Sequence, residues 1–457
     1  MKVRFGNTSP VVWSGNQCMI ESLLFKQMPL VLPSGIFQGD LLIRSGKIEA
    51  IGPSLNVSAE RIIHEPGLTV LPGLIDAHVH FREPGPTHKE TIQTGSEAAA
   101  AGGITTFFEM PNTTPMTVDQ VTLDQKNKIA AETALVNYAF FIGATSQNLH
   151  KLDAITGIPG IKLFAGSSTG DLLLSEPDQW ERLFVSTRHR ISVHSEDESI
   201  IQTRQATSTG NETAKDHPQM RPSEAAIRCT KRLTQLAIRH QKQLHICHLT
   251  TAEEAQYLQQ LNSPYITCEV TPQHLFCNSD DYLKWGTYLQ INPPIRDARH
   301  QSALWKALLS GTIPMIASDH APHQRDEKEQ PYGKAPSGMP IVQLTVPLLL
   351  DAMNSGQFKL DDIVRWCAYN PSEIYGIANK GRLAVGYDAD ITLVDLKRTR
   401  TVQSSQLLSK SNWSVFEGKT LTGWPIMTIV NGQLVYEDGA CYANPHSAQA
   451  AKFHTVV

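Results

Sequence analysis

Between residues 74 and 320 short apolar runs alternate with longer helical stretches, and this alternation narrows the choice of fold more than any other feature of the chain. Eight runs read as strands: Leu74–Phe81, Ile104–Met110, Val136–Ala144, Ile161–Ala165, Ile191–His194, Leu244–Leu249, Ile266–Thr271 and Met315–His320. Helical segments such as Thr91–Ala101, Ser223–His240 and Ala298–Leu309 separate several of them. Eight such repeats are the pattern of a (β/α)8 barrel. A barrel takes roughly 250 residues. The chain has 457, so a remainder must be placed.

That remainder lies at both ends. From about Gly35 to Leu71 the sequence reads as short strands with turns, for example Asp40–Arg44, then Ser45-Gly46-Lys47, then Ile48–Gly52. Asp390–Val394 and Met427–Tyr436 have the same texture, and Asn431-Gly432 is a hairpin signal. Neither end has enough strands to stand alone, so the two are expected to pack as one small β-sandwich domain. The expected division is 1–72 and 380–457 for the sandwich and 73–379 for a distorted barrel.

Composition excludes several classes. An apolar fraction of 41% suits a sizeable core, and a net charge of −4 with interspersed signs offers no basic stripe for nucleic acid. Seven cysteines without a Cys-x-x-Cys pair fit a reducing cytoplasm. The segment Met1–Asn7 lacks the apolar stretch and cleavage site of a signal peptide. The longest apolar patch, Ile341–Leu350, is too short to cross a membrane and is interrupted by Gln343, Thr345 and Pro347.

The chemistry concentrates at the strand ends. His78 and His80 are two apart on the first strand, so their rings share a face. At the C-terminal end of a barrel strand that face is the active-site mouth. Alone, His-x-His is more often packing or surface histidine. Here His194, His248 and Asp319 end the fifth, sixth and eighth strands, and imidazoles buried there without a metal would need other polar partners. The pattern points to a metal site. Lys162 ends the fourth strand. Its plain reading is an exposed lysine. Its sharper reading is a carbamate, an anion able to bridge two cations that four imidazoles and one carboxylate balance poorly.

The stretches Asp76–Gly85, Gly102–Thr106, Glu109–Thr113, Ser318–His323 and Gly386–Asp390 resemble the dihydroorotases of the amidohydrolase superfamily, in order, over about residues 40 to 440. The resemblance implies a binuclear zinc centre in a distorted barrel. His78, His80 and Asp319 would hold one zinc ion and His194 and His248 the other, with carbamylated Lys162 and a hydroxide bridging them. Asp319 would act as general base and acid. The implied reaction is the reversible cyclisation of N-carbamoyl-L-aspartate to (S)-dihydroorotate in de novo pyrimidine (UMP) biosynthesis. Arg82, Asn112 and His323 match positions that bind the substrate carboxylate. Asn292 is a contact for ring or carboxylate, and the loop from Ala335 to Gly338 would supply backbone contacts. Arg82 shares strand parity with His78 and His80 and points into the same cavity, where a guanidinium gives two-point recognition of a carboxylate.

Allantoinases, hydantoinases and dihydropyrimidinases share the expected fold and metal site, but their substrates lack the ring carboxylate, so Arg82 discriminates against them. A silent scaffold for aspartate transcarbamoylase is a further alternative, disfavoured because every expected ligand is present. Association as a homodimer or with the transcarbamoylase is compatible with the sequence. His320 and His274 receive no role, and His245 is expected on the opposite strand face from His248, in the core or behind the ligands. Arg325–Glu329 reads most simply as a solvated charge run; following the eighth strand, it is also placed to border the active-site entrance. The His217-Pro218 and Arg221-Pro222 pairs read as a structured loop with no assigned chemistry.

Overall fold

The computed structural model describes residues 20–167, 172–442 and 447–454; the signal-peptide reading of residues 1–7 falls outside them. Five strands come first: β1 (Ser22–Leu32), β2 (Gly35–Arg44), β3 (Lys47–Gly52), β4 (Arg61–Ile63) and β5 (Thr69–Pro72). The barrel strands follow as β6 (Leu74–Val79), β7 (Ile104–Glu109), β8 (Asn137–Phe140), β9 (Ile142–Gly143), β10 (Ile161–Phe164), β11 (Ile191–His194), β12 (Leu244–Ile246), β13 (Ile266–Val270) and β14 (Met315–Ile316). The chain closes with β15 (Ile391–Thr401), β16 (Thr420–Val430), β17 (Gln433–Glu437) and β18 (Ala440–Cys441).

All barrel pairings are parallel. β6, β7 and β8 form one ladder, and β9 to β14 form another. β8 and β9 are one barrel strand interrupted at Phe141, whose N–H instead reaches Glu109 O. The ring closes where Val79 bridges His320 and His80 N donates to His320 O at 2.8 Å. Each of the eight expected strands is present; Ile191–His194 keeps its expected bounds, and the other seven are shortened at their C-terminal ends, where the chain turns toward the active-site face. The helices agree closely with their capping signals. Thr91 caps Ile92–Ala101 by accepting from Thr94 N, and Asp297 caps Ala298–Leu309. The third, Ser223–Arg239, buries Ala225, Cys229 and Leu233 at helical spacing against the barrel.

The two chain ends join in one nine-stranded sheet of order β18-β17-β16-β15-β5-β1-β2-β3, with β4 beside β1. The joint is the antiparallel pairing of β15 with β5, Ile391 opposite Pro72. Leu23, Phe25, Leu41 and Ile43 share a single apolar cluster with Ile391, Leu393, Met427 and Ile429, so the sheet folds over its own core as two layers. Asn431 and Gly432 both have positive φ, as a two-residue hairpin turn requires. The chain passes from sheet to barrel at Gly73, between β5 and β6. Among the described residues no helix is long and apolar enough to cross a membrane.

Candidate metal centre and active site

His78, His80, His194 and His248 gather at the C-terminal end of the barrel, with successive ring centroids 4.8–5.4 Å apart. All four are buried. Three of the rings are fixed from outside. His78 Nδ1 lies 2.5 Å from Glu269 Oε1, His80 Nδ1 2.7 Å from Asn112 Oδ1, and His194 Nε2 2.7 Å from Glu196 Oε2. Each partner is an acceptor, so the nitrogen facing it carries a proton. The other nitrogens turn inward. His78 Nε2 and His80 Nε2 sit 3.3 and 3.1 Å from Asp319 Oδ1, and His194 Nδ1 sits 3.1 Å from His248 Nε2.

Electrostatics favours a cation in this place. Burial and the Lys162 ammonium press His78 downward, yet the Asp319 and Glu269 carboxylates carry it up to about 10. Burial lowers His80 to about 4 and holds His194 and His248 below the ordinary imidazole range, so these rings are neutral donors. Burial alone would raise Asp319, but His78 and His80 hold it at about 2. The ligand atoms of His78, His248 and Asp319 lie within 4.8 Å of one another, so the two expected half-sites abut. Imidazole nitrogen and carboxylate oxygen form a donor set that suits a divalent ion of the zinc type. Lys162 is fully buried with Nζ 3.1 Å from Cys247 Sγ, so its reading as an exposed lysine fails.

Backbone conformation aims these groups. Arg82, His248 and Asp319 have φ of +66°, +36° and +49°, a region uncommon for residues with a Cβ. Arg82 is buried beside His323, with Nη2 3.2 Å from His323 Nε2, while its Nε donates to Pro322 O. Asn112 reaches the site through His80. Asn292 Oδ1 is 2.9 Å from His217 Nε2. Ala335 is buried, and its carbonyl accepts from Gln290 Nε2.

Several contributors escape the sequence reading. Glu269, next to the end of β13, holds both His78 and His245, the latter at 3.1 Å, which places His245 behind His78. Glu196 is paired with Arg221, which gives the Arg221-Pro222 loop its role. The spacing His194-Ser195-Glu196 carried a usable signal, since residues two apart on an extended chain share a face. His320, given no role, accepts at Nδ1 from Ile341 N and Val342 N. A cavity of about 610 Å³ against Lys47, Lys380 and Asp388 gathers none of these donors.

The sequence profile described as Amidohydrolase family matches residues 69–435. The chain belongs to the amidohydrolase family. It is a hydrolase of cyclic amides. A dihydroorotase of Pyrococcus abyssi is 35% identical over 91% of this chain and 96% of its own length. An allantoinase of Desulfitobacterium hafniense is 33% identical over 93% and 97%. The structure of an L-hydantoinase (dihydropyrimidinase) from Arthrobacter aurescens superposes with a TM-score of 0.90 at 29% identity, covering 95% of this chain and 100% of that one. Amidohydrolases with different ring substrates therefore share this scaffold.

Proposed function

We propose that the chain is a dihydroorotase, interconverting N-carbamoyl-L-aspartate and (S)-dihydroorotate in the cytoplasm as a step of de novo pyrimidine (UMP) biosynthesis. The observation that carries this reading is Arg82, a buried guanidinium beside His323 and close to the imidazole cluster. Held by Pro322 O and His323 rather than by a carboxylate, this buried guanidinium suits an anion, and a ring carboxylate meets its fork at two points. The dihydroorotase relatives support the same choice.

In this reading His78, His80 and Asp319 would hold one zinc ion, His194 and His248 would hold a second, and Lys162 as a carbamate would add an anion to the site. Divalent ions held there supply a water of lowered pKa and a positive charge beside the carbonyl oxygen. Arg82, with His323, Asn112, Asn292 and the Ala335 loop around the ring, fixes the carboxylate and thereby the position of the amide. Asp319 is ionised at neutral pH, so it accepts the proton of the attacking water. As the ring C–N bond breaks, Asp319 returns that proton to the departing nitrogen. Cyclisation runs the same transfers in reverse. Carbamate formation on Lys162 would join its neutral amine to carbon dioxide with release of one proton; counted from the ammonium, two protons leave and a buried positive charge gives way to a negative one.

The test compares turnover of dihydroorotate, allantoin and dihydrouracil by metal-loaded protein. Dihydroorotate is expected to be preferred. The allantoinase relative supplies the second reading, and turnover of only the two uncarboxylated rings would establish it instead. Lys162→Ala is expected to lose activity and to regain part of it with added short carboxylic acids. Full metal occupancy without any rescue would count against the carbamate.

A further inference from the structure

Behind Arg82 stands a group of charges that the metal chemistry does not use. Lys89 Nζ lies 3.1 Å from His323 Nδ1 and 2.9 Å from Glu327 Oε1. Glu327 is held in turn, accepting from Gln324 N at 2.9 Å. The backbone of His323 is tied down as well, its carbonyl accepting from Trp413 Nε1 at 2.8 Å.

An ammonium group only donates. His323 Nδ1 must therefore offer Lys89 a lone pair, and the single proton of the neutral ring resides on Nε2. That nitrogen lies 3.1 Å from Ser337 O, an acceptor, and 3.2 Å from Arg82 Nη2, which is itself a donor. The Nε2–H therefore donates to Ser337 O, in the loop expected to contact the ring, and Arg82 Nη2 stands beside it as a second donor, so that a carboxylate taking the place of Ser337 O meets both. Burial and Arg82 oppose a second proton more strongly than the Glu327 carboxylate favours one, Lys89 and Lys328 add to that opposition, and His323 is driven down to about 3. A neutral ring with a fixed tautomer beside a guanidinium is a donor pair spaced for the two oxygens, or one shared oxygen, of a carboxylate.

Resting on the dihydroorotase reading, we infer that Lys89 is a specificity-determining positioning residue: its ammonium locks His323 as the Nε2–H tautomer, so that His323 and Arg82 present paired donors to the ring carboxylate. Without the ammonium, the proton can move to Nδ1 and face Glu327, whose Oε2 is 3.7 Å away. Nε2 then becomes an acceptor for Arg82. The guanidinium closes on the histidine, and the donor pair is lost.

Lys89→Met and Lys89→Arg separate this role from simple packing. With dihydroorotate, Lys89→Met is expected to raise KM by roughly tenfold or more, the worth of one charge-assisted hydrogen bond, with kcat little changed. Lys89→Arg keeps a donor at Nδ1 and is expected to stay within a few fold of wild type. Equal losses for Met and Arg variants, or a fall in kcat without a rise in KM, would overturn the inference. Nitrogen NMR of protein labelled at histidine reads the tautomer directly, with the His323 signal identified by its loss in His323→Gln. A pyrrole-type Nε2 in the wild type is expected; a pyrrole-type Nδ1 would sink the proposal even if every variant folds poorly. Absence of dihydroorotate turnover by wild type is a separate outcome. It would remove the substrate reading, while the tautomer measurement would still decide the role of Lys89.

Discussion

Glu269 does for His78 what Asn112 does for His80 and Glu196 for His194: it holds the outward ring nitrogen and turns the other toward the site. It is fully buried, as Glu196 is, and is bonded to two imidazoles. Partners of this kind raise ligand basicity and fix ring orientation, and losing one typically costs 10–100-fold in metal affinity. Glu269→Gln preserves shape and removes the charge. Its zinc affinity, measured by competition with a chelator, is expected to fall by about 10–100-fold, and activity should recover in part at saturating zinc. Unchanged affinity would reduce Glu269 to packing. The clustering of the inward imidazoles with Asp319 was legible in the sequence because His and Asp at strand ends are unusual and chemically specific. Glu269 was not, because one acid inside Ile266–Val270 looks like any polar strand residue until β13 is placed beside β12 and across from β6.

At the scale of elements, the segment from Arg325 to Gly338 departs most from its sequence reading. A run of alternating charges has no periodicity to say which side chain turns inward. The structure turns Lys328 in completely, its Nζ donating to Gln290 O at 3.1 Å and Pro336 O at 2.7 Å. Those bonds, with Gln290 Nε2 on Ala335 O and Gly338 N on Gln290 O, knit the loop expected to contact substrate. Burial, then the like charge of Arg82, brings Lys328 down to about 7. The unfolded lysine keeps its ordinary value near 10.5. Between those values the unfolded chain binds the extra proton, so folding stability rises with pH across that window. The destabilising contribution is fully present below pH 7 and gone above about pH 10.5. Lys328→Met lacks it at every pH. Denaturant unfolding of both proteins is therefore expected to show wild type gaining roughly 2–4 kcal/mol on the variant between about pH 6.5 and 9.5. A pH-independent difference would mean that Lys328 titrates normally.

The whole molecule depends on how the sheet grips the barrel, and one carboxylate is central to that grip. Asp390 Oδ2 accepts from Lys380 Nζ at 2.6 Å and from Asn137 Nδ2 of β8 at 2.9 Å, while Oδ1 accepts from Asn431 N at 2.8 Å. Its carbonyl accepts from Gly73 N at 2.7 Å, immediately before β6 carries His78 and His80 into the site. Gly103 marks a second close approach: at φ +81° a Cβ there would meet Thr392 Cγ2 at 2.7 Å. That the two ends pack together could be argued from each having too few strands. Where they dock could not, because Asp388-Ala389-Asp390 shows only resemblance until its partners, more than 250 positions away in the case of Asn137, are in place. Asp390→Ala leaves buried donors on Lys380, Asn137 and Asn431 unmatched. Removing one partner of a buried pair costs about 3–5 kcal/mol. Lys380 retains Asp388 at 3.0 Å, which moves the expectation to the lower end of that range. Asp390→Asn restores acceptor and shape without charge and should recover part of the loss. If sheet and barrel unfold together, Asp390→Ala will show one thermal transition at a lower midpoint, and zinc affinity will fall with it because β6 is anchored through Gly73. If the sheet is only an appendage, a separate early transition will appear and zinc affinity will hold, and the first strand of the metal site will have to owe its placement to the barrel alone.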